Sequence, residues 1–105
     1  MVYAEASKYP EWDATLITAI AEAESTVNGV ECNKDATGDT TLTYQVNGRT
    51  YGYSVSVLQV RILEGREHCD AHDIEVNVRC AYAIWQGQGY EAWSVYTSGK
   101  YLNYL

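Results

Sequence analysis

The sequence predicts an α+β fold that is mostly helical and carries one small β-hairpin. Three observations lead to this prediction. Two segments place apolar residues at helical spacing, one segment alternates apolar and polar residues around an Asn-Gly pair, and the chain has 105 residues. A chain of this length supports one hydrophobic core, so we expect a single domain over residues 1–105.

The first helix is predicted from about Glu11 to Ser25. Pro10 precedes it, and Asp13 falls in its first turn, where a carboxylate meets the positive end of the helix dipole. Apolar residues at the spacing i, i+3, i+4 define a buried stripe, and Glu24 takes the i+7 position of that stripe. Glu22 falls on another face of the helix. The apolar positions of the stripe are Ile17, Ile20 and Ala21.

A β-hairpin is predicted between Thr40 and Val57. Apolar residues alternate with polar ones up to Val46, and Asn47-Gly48 is the strongest short hairpin signal, with Arg49–Val57 as the return strand. Three neighbouring segments have weaker patterns. We expect a loop over residues 26–40, a short helix over 58–63 and a polar connector over 64–73.

A second long helix is predicted to begin after Asp73, which is a suitable N-cap residue. Its apolar residues recur at spacings of four, three and four, and Gly87 and Gly89 mark its end. A last short helix is expected from Tyr90 to Tyr96, before Gly99. The apolar residues of the long helix are Ile74, Val78, Ala81 and Trp85.

Composition excludes several classes of function. Seven Lys and Arg against 14 Asp and Glu give a net charge of −7, which disfavours a nucleic-acid partner. The longest apolar run, Cys80–Trp85, is too short for membrane insertion, and the N-terminus has no signal-peptide pattern. Ten Tyr, three Trp and no Phe favour aromatic rings at a wet surface, where rings also stack on sugars, although chance explains this bias equally well.

Glu24 is the candidate chemical group. A carboxyl group on the core side of a helix is costly unless it gains a partner or a raised pKa. A carboxyl that stays protonated near neutral pH can act as a general acid. The alternative is that Glu24 is simply hydrated, because it lies where the stripe reaches the helix end.

Three blocks of the sequence, in order, carry a family resemblance. Residues 19–25, Ala-Ile-Ala-Glu-Ala-Glu-Ser, resemble the helix-ending Glu-Ser motif of the lysozyme-like superfamily, namely soluble lytic transglycosylases and related phage muralytic domains. Residues 56–60, Ser-Val-Leu-Gln-Val, are similar to the family's Gly-Leu-Met-Gln-Ile segment. Residues 77–101 resemble its closing helices, and they end in the Trp-Ser-x-Tyr-x-Ser-Gly-Lys-Tyr pattern of phage members.

The resemblance implies a lysozyme-like fold whose hairpin flanks a cleft, with Glu24 as the catalytic acid. It further implies that Gln59 shapes the cleft and contacts substrate, and that the Tyr96 hydroxyl reaches toward Glu24. Ser25, from the Glu-Ser motif, joins the predicted substrate-binding residues. The chain departs from the family at Ser56, where a glycine is usual and the backbone angles must be compatible.

The implied reaction is cleavage of the MurNAc-GlcNAc glycan strand of bacterial peptidoglycan, without a metal or cofactor. A muramidase needs a second carboxylate, whereas a lytic transglycosylase lets the sugar's own 6-hydroxyl attack. The second acid is predicted among Glu31, Asp35 and Asp39, with Asp39 first because it enters the hairpin. For each of the three, the alternative, which the sequence favours, is an ordinary solvated loop acid.

The resemblance also implies where the protein acts. We expect a phage-associated enzyme, delivered to the extracellular or periplasmic cell wall by the virion or by lysis. It would be a monomer or a domain of a larger phage protein. The alternative function is a non-catalytic glycan-binding or structural module of a phage tail or cell-wall assembly.

The cysteines leave several possibilities open. With three of them, at most one intramolecular disulfide forms, and Cys69–Cys80, a pair with Cys32 or three thiols all remain possible. Two His and two Cys would also suit zinc, but their spacing lacks a paired C-x-x-C pattern. That set is His68, Cys69, His72 and Cys80. We therefore predict no metal site.

Overall fold

A computed structural model describes residues 1–26 and 32–105, and the fold is α+β as predicted. Within these residues the α-helices are α1 (Val2–Ala6), α2 (Ala14–Ser25), α3 (Ile74–Gln88) and α4 (Ser94–Thr97). The strands are β1 (Thr37–Gly38), β2 (Tyr44–Val46), β3 (Arg49–Tyr51), β4 (Ser54–Val55) and β5 (Val60–Arg61). Three 3₁₀ turns cover Glu67–Cys69, Gly89–Ala92 and Lys100–Tyr104.

The predicted first helix is confirmed as α2, but it begins at Ala14 rather than near Glu11. Asp13 is its N-cap, because the Asp13 carboxylate accepts hydrogen bonds from the amides of Thr15 and Leu16 at 3.0 and 3.2 Å. The preceding residue, Trp12, is buried and donates from Nε1 to the carbonyl of Ala6 at 2.9 Å. This anchor joins α2 to α1, a helix the sequence pattern did not predict.

The predicted hairpin turn is confirmed between β2 and β3. Asn47 and Gly48 have φ of 50° and 81°, the left-handed pair that a two-residue turn requires. The return strand is shorter than predicted and ends at Tyr51. It stops because Gly52 has φ of 98° and its backbone lies so close to Leu42 that a side chain would strike the Leu42 carbonyl.

A second sheet, which the sequence did not predict, has the strand order β1-β4-β5 with antiparallel neighbours. Its strand β1 lies in the segment predicted as a loop. The helix predicted over residues 58–63 is wrong, since this stretch contains β5. Ser56 and Gln59 both have positive φ, 64° and 46°, and these angles reverse the chain between β4 and β5 instead of starting a helix.

The second long helix is confirmed as α3. The Asp73 carboxylate accepts from the amide of Val76 at 2.9 Å, and Gly89 follows the last residue with φ of 68°. The predicted helix over residues 90–96 is divided into a 3₁₀ turn and α4. Trp93 divides it because its backbone is extended and its buried indole donates to the carbonyl of Leu58 at 2.8 Å.

The core lies between α2, the β4–β5 turn and α3. Asn77 of α3 is fully buried, accepts from the amide of Leu58 at 2.8 Å and donates to the carbonyl of Val55 at 2.9 Å. Of the cysteine pairings left open, the structure forms Cys69–Cys80, which ties the connector to α3. None of the helices in the described ranges is long and apolar enough to cross a membrane.

Candidate functional site

Glu24 is the penultimate residue of α2 and is half-buried. Helix α2 packs there against α4 and the 3₁₀ turn Lys100–Tyr104. Glu22, two residues earlier, lies on another side of the helix and lines a cavity of about 260 Å³ beside α1. The two glutamates therefore have different surroundings, as the helical spacing predicts.

The surroundings of Glu24 favour its neutral form. The pKa of the Glu24 carboxyl is raised from 4.5 to about 7, mainly by burial and also by the negative charge of Asp39, while the positive charge of Lys100 acts in the opposite direction. A carboxyl group with this pKa is partly protonated at neutral pH. It can give a proton to a bound molecule and take one back, which is the property a general acid/base requires.

Asp39 is the predicted second acid that the structure brings to Glu24. It follows β1 directly, with φ of 55°, and its carboxylate accepts a hydrogen bond from the hydroxyl of Ser54 at 2.5 Å. Ser54 is buried and pairs with Gly38 across the β1–β4 ladder. The second sheet thus fixes the Asp39 carboxylate, so the geometry of the pair depends on strands that the sequence did not reveal.

Gln59 holds the β1 end of this sheet in place. Its Nε2 donates to the carbonyls of Ala36 and Ser56 at 3.2 and 2.9 Å. A side chain at Gly38 would collide with Gln59 Oε1, so the carboxamide passes directly beneath the residue that precedes Asp39. Gln59 is therefore bound to the strands that carry Asp39.

Tyr96 and Ser25, two of the predicted substrate-binding residues, contact groups other than Glu24: Tyr96 packs against aromatic rings and Ser25 bonds to its own helix. The Tyr96 ring lies between Tyr90 and Tyr101, with centroids 5.4 and 5.0 Å away, and the described residues show no hydrogen bond from its hydroxyl to Glu24. Ser25 is only 1% exposed, and its hydroxyl donates to the carbonyl of Ala21 at 2.8 Å. In this structure Ser25 therefore bonds to its own helix.

Of the other two predicted acids, the structure describes only Asp35, and it does not bring Asp35 to Glu24. Asp35 is exposed and bonds to Lys34 at 2.9 Å, and this hydrogen bond lowers the pKa of Asp35. Glu31 lies outside the described residues. Within the described ranges, Asp39 is the acid whose charge acts on Glu24.

The histidines and cysteines do not assemble as the four-residue zinc set considered from the sequence. Ligand atoms of His68, Cys69 and Cys80 lie within 4.8 Å of one another, but both sulfurs belong to the disulfide. The fourth residue, His72, has its Nε2 3.1 Å from the hydroxyl of Thr37. Zinc binds cysteine as a thiolate, so the oxidised pair does not provide those ligands.

Sequence reasoning missed two residues of the site. Ser54 orients Asp39, and only the pairing of β4 with β1 indicates this role. Lys100 stands in the Ser-Gly-Lys-Tyr ending, but no sequence pattern links its charge to Glu24. Gly99, with φ of 79°, starts the turn that brings Lys100 toward the end of α2.

Glu24 and Asp39 line none of three cavities of about 220, 260 and 270 Å³ that described residues form, although Gln59 lines the first of them. The fold and site together define an α+β protein with a half-buried carboxyl group beside a second, hydrogen-bonded carboxylate. No protein-family model, curated protein or solved structure matches the chain.

Proposed function

We propose that the protein is a lysozyme-like enzyme that cleaves the glycan strand of bacterial peptidoglycan, with Glu24 as the general acid/base. The observation that carries the proposal is the half-buried Glu24 carboxyl, whose pKa is raised to about 7 next to Asp39. Glycosidases of the two-carboxylate type use a protonated acid and an ionised partner, which is the combination that this pair supplies near neutral pH.

Glu24 would protonate the oxygen that leaves when the bond from C1 of MurNAc to O4 of GlcNAc breaks. Positive charge then develops on the MurNAc ring, and an ionised carboxylate nearby stabilises it. Asp39 has the position for this role, because Ser54 holds one of its oxygens and its charge already acts on Glu24.

Two acceptors can complete the reaction. If water attacks C1, Glu24 takes the water proton and the product has a reducing end. If the 6-hydroxyl of the same sugar attacks, Glu24 takes the hydroxyl proton and a 1,6-anhydro end forms. Asp39 beside Glu24 favours the first route, because hydrolysis is the route that requires a second carboxylate.

The matched pair Glu24→Gln and Glu22→Gln tests the proposal on purified peptidoglycan sacculi. Each variant removes one carboxyl from α2, but the Glu24 carboxyl has a raised pKa beside Asp39, whereas Glu22 lines the cavity beside α1. We expect dye release by the parent protein and by Glu22→Gln, and a loss of at least about 100-fold in Glu24→Gln. Equal release by all three proteins would refute the role of Glu24.

Mass spectrometry of the released fragments then identifies the acceptor, since anhydro and reducing ends differ by one water. Binding of the parent protein to sacculi without release of fragments would instead support the non-catalytic, glycan-binding module. Activity on the cell wall would also fit the proposed delivery by a phage particle or by lysis.

A further inference from the structure

Two of the cavities adjoin each other and form one groove along α3. They have volumes of about 220 and 270 Å³, and both are lined by Arg66, Ile84 and Gln88. We call their union the Arg66 groove. Gln59 lines only the first cavity and His68 only the second, whereas Arg66 contributes to both.

Arg66 is half-buried and has hydrogen-bonding capacity to spare. Its Nη1 donates to the carbonyl of Arg61 at 3.2 Å, which fixes the side chain. Among the described residues, no carboxylate forms an ion pair with it. A guanidinium has five N–H donors in a fixed plane, so Arg66 keeps enough donors for a bidentate bond to a carboxylate.

The absence of an acidic partner for Arg66 within the described ranges is notable in a chain with 14 acidic and seven basic residues. The nearest acidic residue in sequence, Glu67, is engaged elsewhere. One of its oxygens accepts from the Tyr51 hydroxyl at 2.8 Å and the other from the amide of Gly65 at 3.0 Å. Thus no acidic side chain in residues 1–26 and 32–105 pairs with the positive charge of Arg66 in the groove.

The rest of the groove is suited to short aliphatic groups. Leu63 and Trp93 line the first compartment, while the second is lined by Ala83 and the Cys69–Cys80 disulfide. Arg61 also lines the first compartment, but its guanidinium donates to the carbonyls of Gly52 and Leu42. Apolar walls beside the Arg66 guanidinium fit a ligand with an aliphatic side chain next to a carboxylate. Such a group is found at the C-terminus of a short peptide.

The groove also reaches the strands of the candidate site. Gln59 lines its first compartment and bonds to the β1 end of the sheet that carries Asp39. A polymer lying across Asp39 can therefore place a side branch near Gln59 and Arg66. This relationship links the groove to the proposed substrate.

We propose that the Arg66 groove binds the terminal carboxylate of a short peptide with small aliphatic side chains. This ligand would be the peptide branch of the polymer cleaved at Glu24, so the inference rests on the proposed function. Arg66 makes the bidentate contact to the carboxylate, and the apolar walls receive the last one or two side chains.

NMR titration with acetyl-D-alanyl-D-alanine and with its C-terminal amide tests the ligand chemistry. We expect saturable shifts at groove residues with the acid and an affinity at least about tenfold weaker with the amide, because charged hydrogen bonds contribute this much. The Arg66→Gln variant should bind the acid with about tenfold lower affinity than the parent does, and Arg66→Lys should show a smaller loss of affinity. Arg79→Gln, which removes an exposed charge from α3, should bind as the parent does.

Equal binding of acid and amide to the parent protein overturns the inference, whether or not the Arg66 variants fold. Binding that is unchanged in a folded Arg66→Gln variant also overturns it. A parallel titration with a disaccharide-linked peptide separates the two sources of the carboxylate, and binding of this probe alone assigns the ligand to the glycan-linked branch. If neither probe binds but the parent protein cleaves sacculi, the inference fails and the proposed function stands. If a probe binds but the parent protein does not cleave sacculi, the proposed function fails and the peptide-binding groove stands.

Discussion

The carboxylate of Asp39 acts on Glu24 across the gap between the end of β1 and the end of α2, and this repulsion adds to burial in raising the pKa of Glu24 to about 7. Asp39 itself is exposed and is held by Ser54. The two carboxyls therefore have unequal environments, and the more buried one is the group that retains its proton.

Asp39→Asn should lower the pKa of Glu24, because it removes the negative charge that disfavours ionisation of the neighbouring carboxyl. The shift should be smaller than the one caused by burial, which is the larger effect. A carbon-detected NMR titration of the glutamate carboxyls measures it directly. An unchanged midpoint for Glu24 would show that the two groups do not interact.

Lys100→Gln should raise the pKa of Glu24, since the ammonium group stabilises the ionised form. The same titration applies, and Lys34→Gln is the control because Lys34 pairs with Asp35 instead. If the pKa of Glu24 falls in Asp39→Asn and rises in Lys100→Gln, the charges of Asp39 and Lys100 both act on Glu24. A shift in the Lys34 variant would point to a general effect of net charge.

Glu24→Gln should stabilise the protein at alkaline pH. The pKa of Glu24 is about 7 in the folded protein and 4.5 in the unfolded chain. Its contribution to the free energy of unfolding is therefore complete below pH 4.5 and is lost as the pH rises through about 7. The parent should therefore lose stability relative to the variant over this interval, by about 1–2 kcal/mol after allowance for solvent screening. Urea unfolding at pH 4 and pH 8 measures the difference, and a constant difference at both pH values would contradict the prediction.

Ser56→Gly should stabilise the fold by about 1 kcal/mol. Ser56 is fully buried with φ of 64°, and its hydroxyl has no hydrogen-bond partner among the described residues. Glycine adopts the left-handed backbone without a steric cost and removes the unsatisfied hydroxyl. These two gains exceed the entropic cost of ordering a glycine on folding. Ser98→Gly, at φ of −79°, is the control and should destabilise. Thermal unfolding of both variants checks the contrast.

Removal of the Cys69–Cys80 disulfide should cost about 3 kcal/mol, as expected for a bridge between residues 11 apart. The double substitution to serine, followed by urea unfolding, measures this cost. Peptide mapping of the unreduced parent should recover the two cysteines in one linked fragment. Recovery of Cys32 in the linked fragment would disprove the assigned pairing.

Local signals were sufficient to predict several elements of the fold. Asp73 caps α3 and Asn47-Gly48 forms the hairpin turn, as predicted, because each depends on contacts within a few residues. Asp13, predicted in the first turn of α2, caps that helix instead. The three-stranded sheet was not predictable in this way. Its strands have two residues each, too few for an alternating pattern, and its turn uses left-handed angles at Ser56 and Gln59, residue types that rarely adopt such angles.

The sequence by itself determined that Glu24 and Glu22 lie on different faces of their helix, because a period of 3.6 residues separates positions that are two apart. Only the tertiary structure decided which charges surround the Glu24 carboxyl. Asp39 and Lys100 are 15 and 76 positions away from it in the printed sequence, and a strand pairing and a terminal turn bring them near. Electrostatic energy depends on distance in space and on exclusion of water, and neither quantity is encoded in any short stretch of residues.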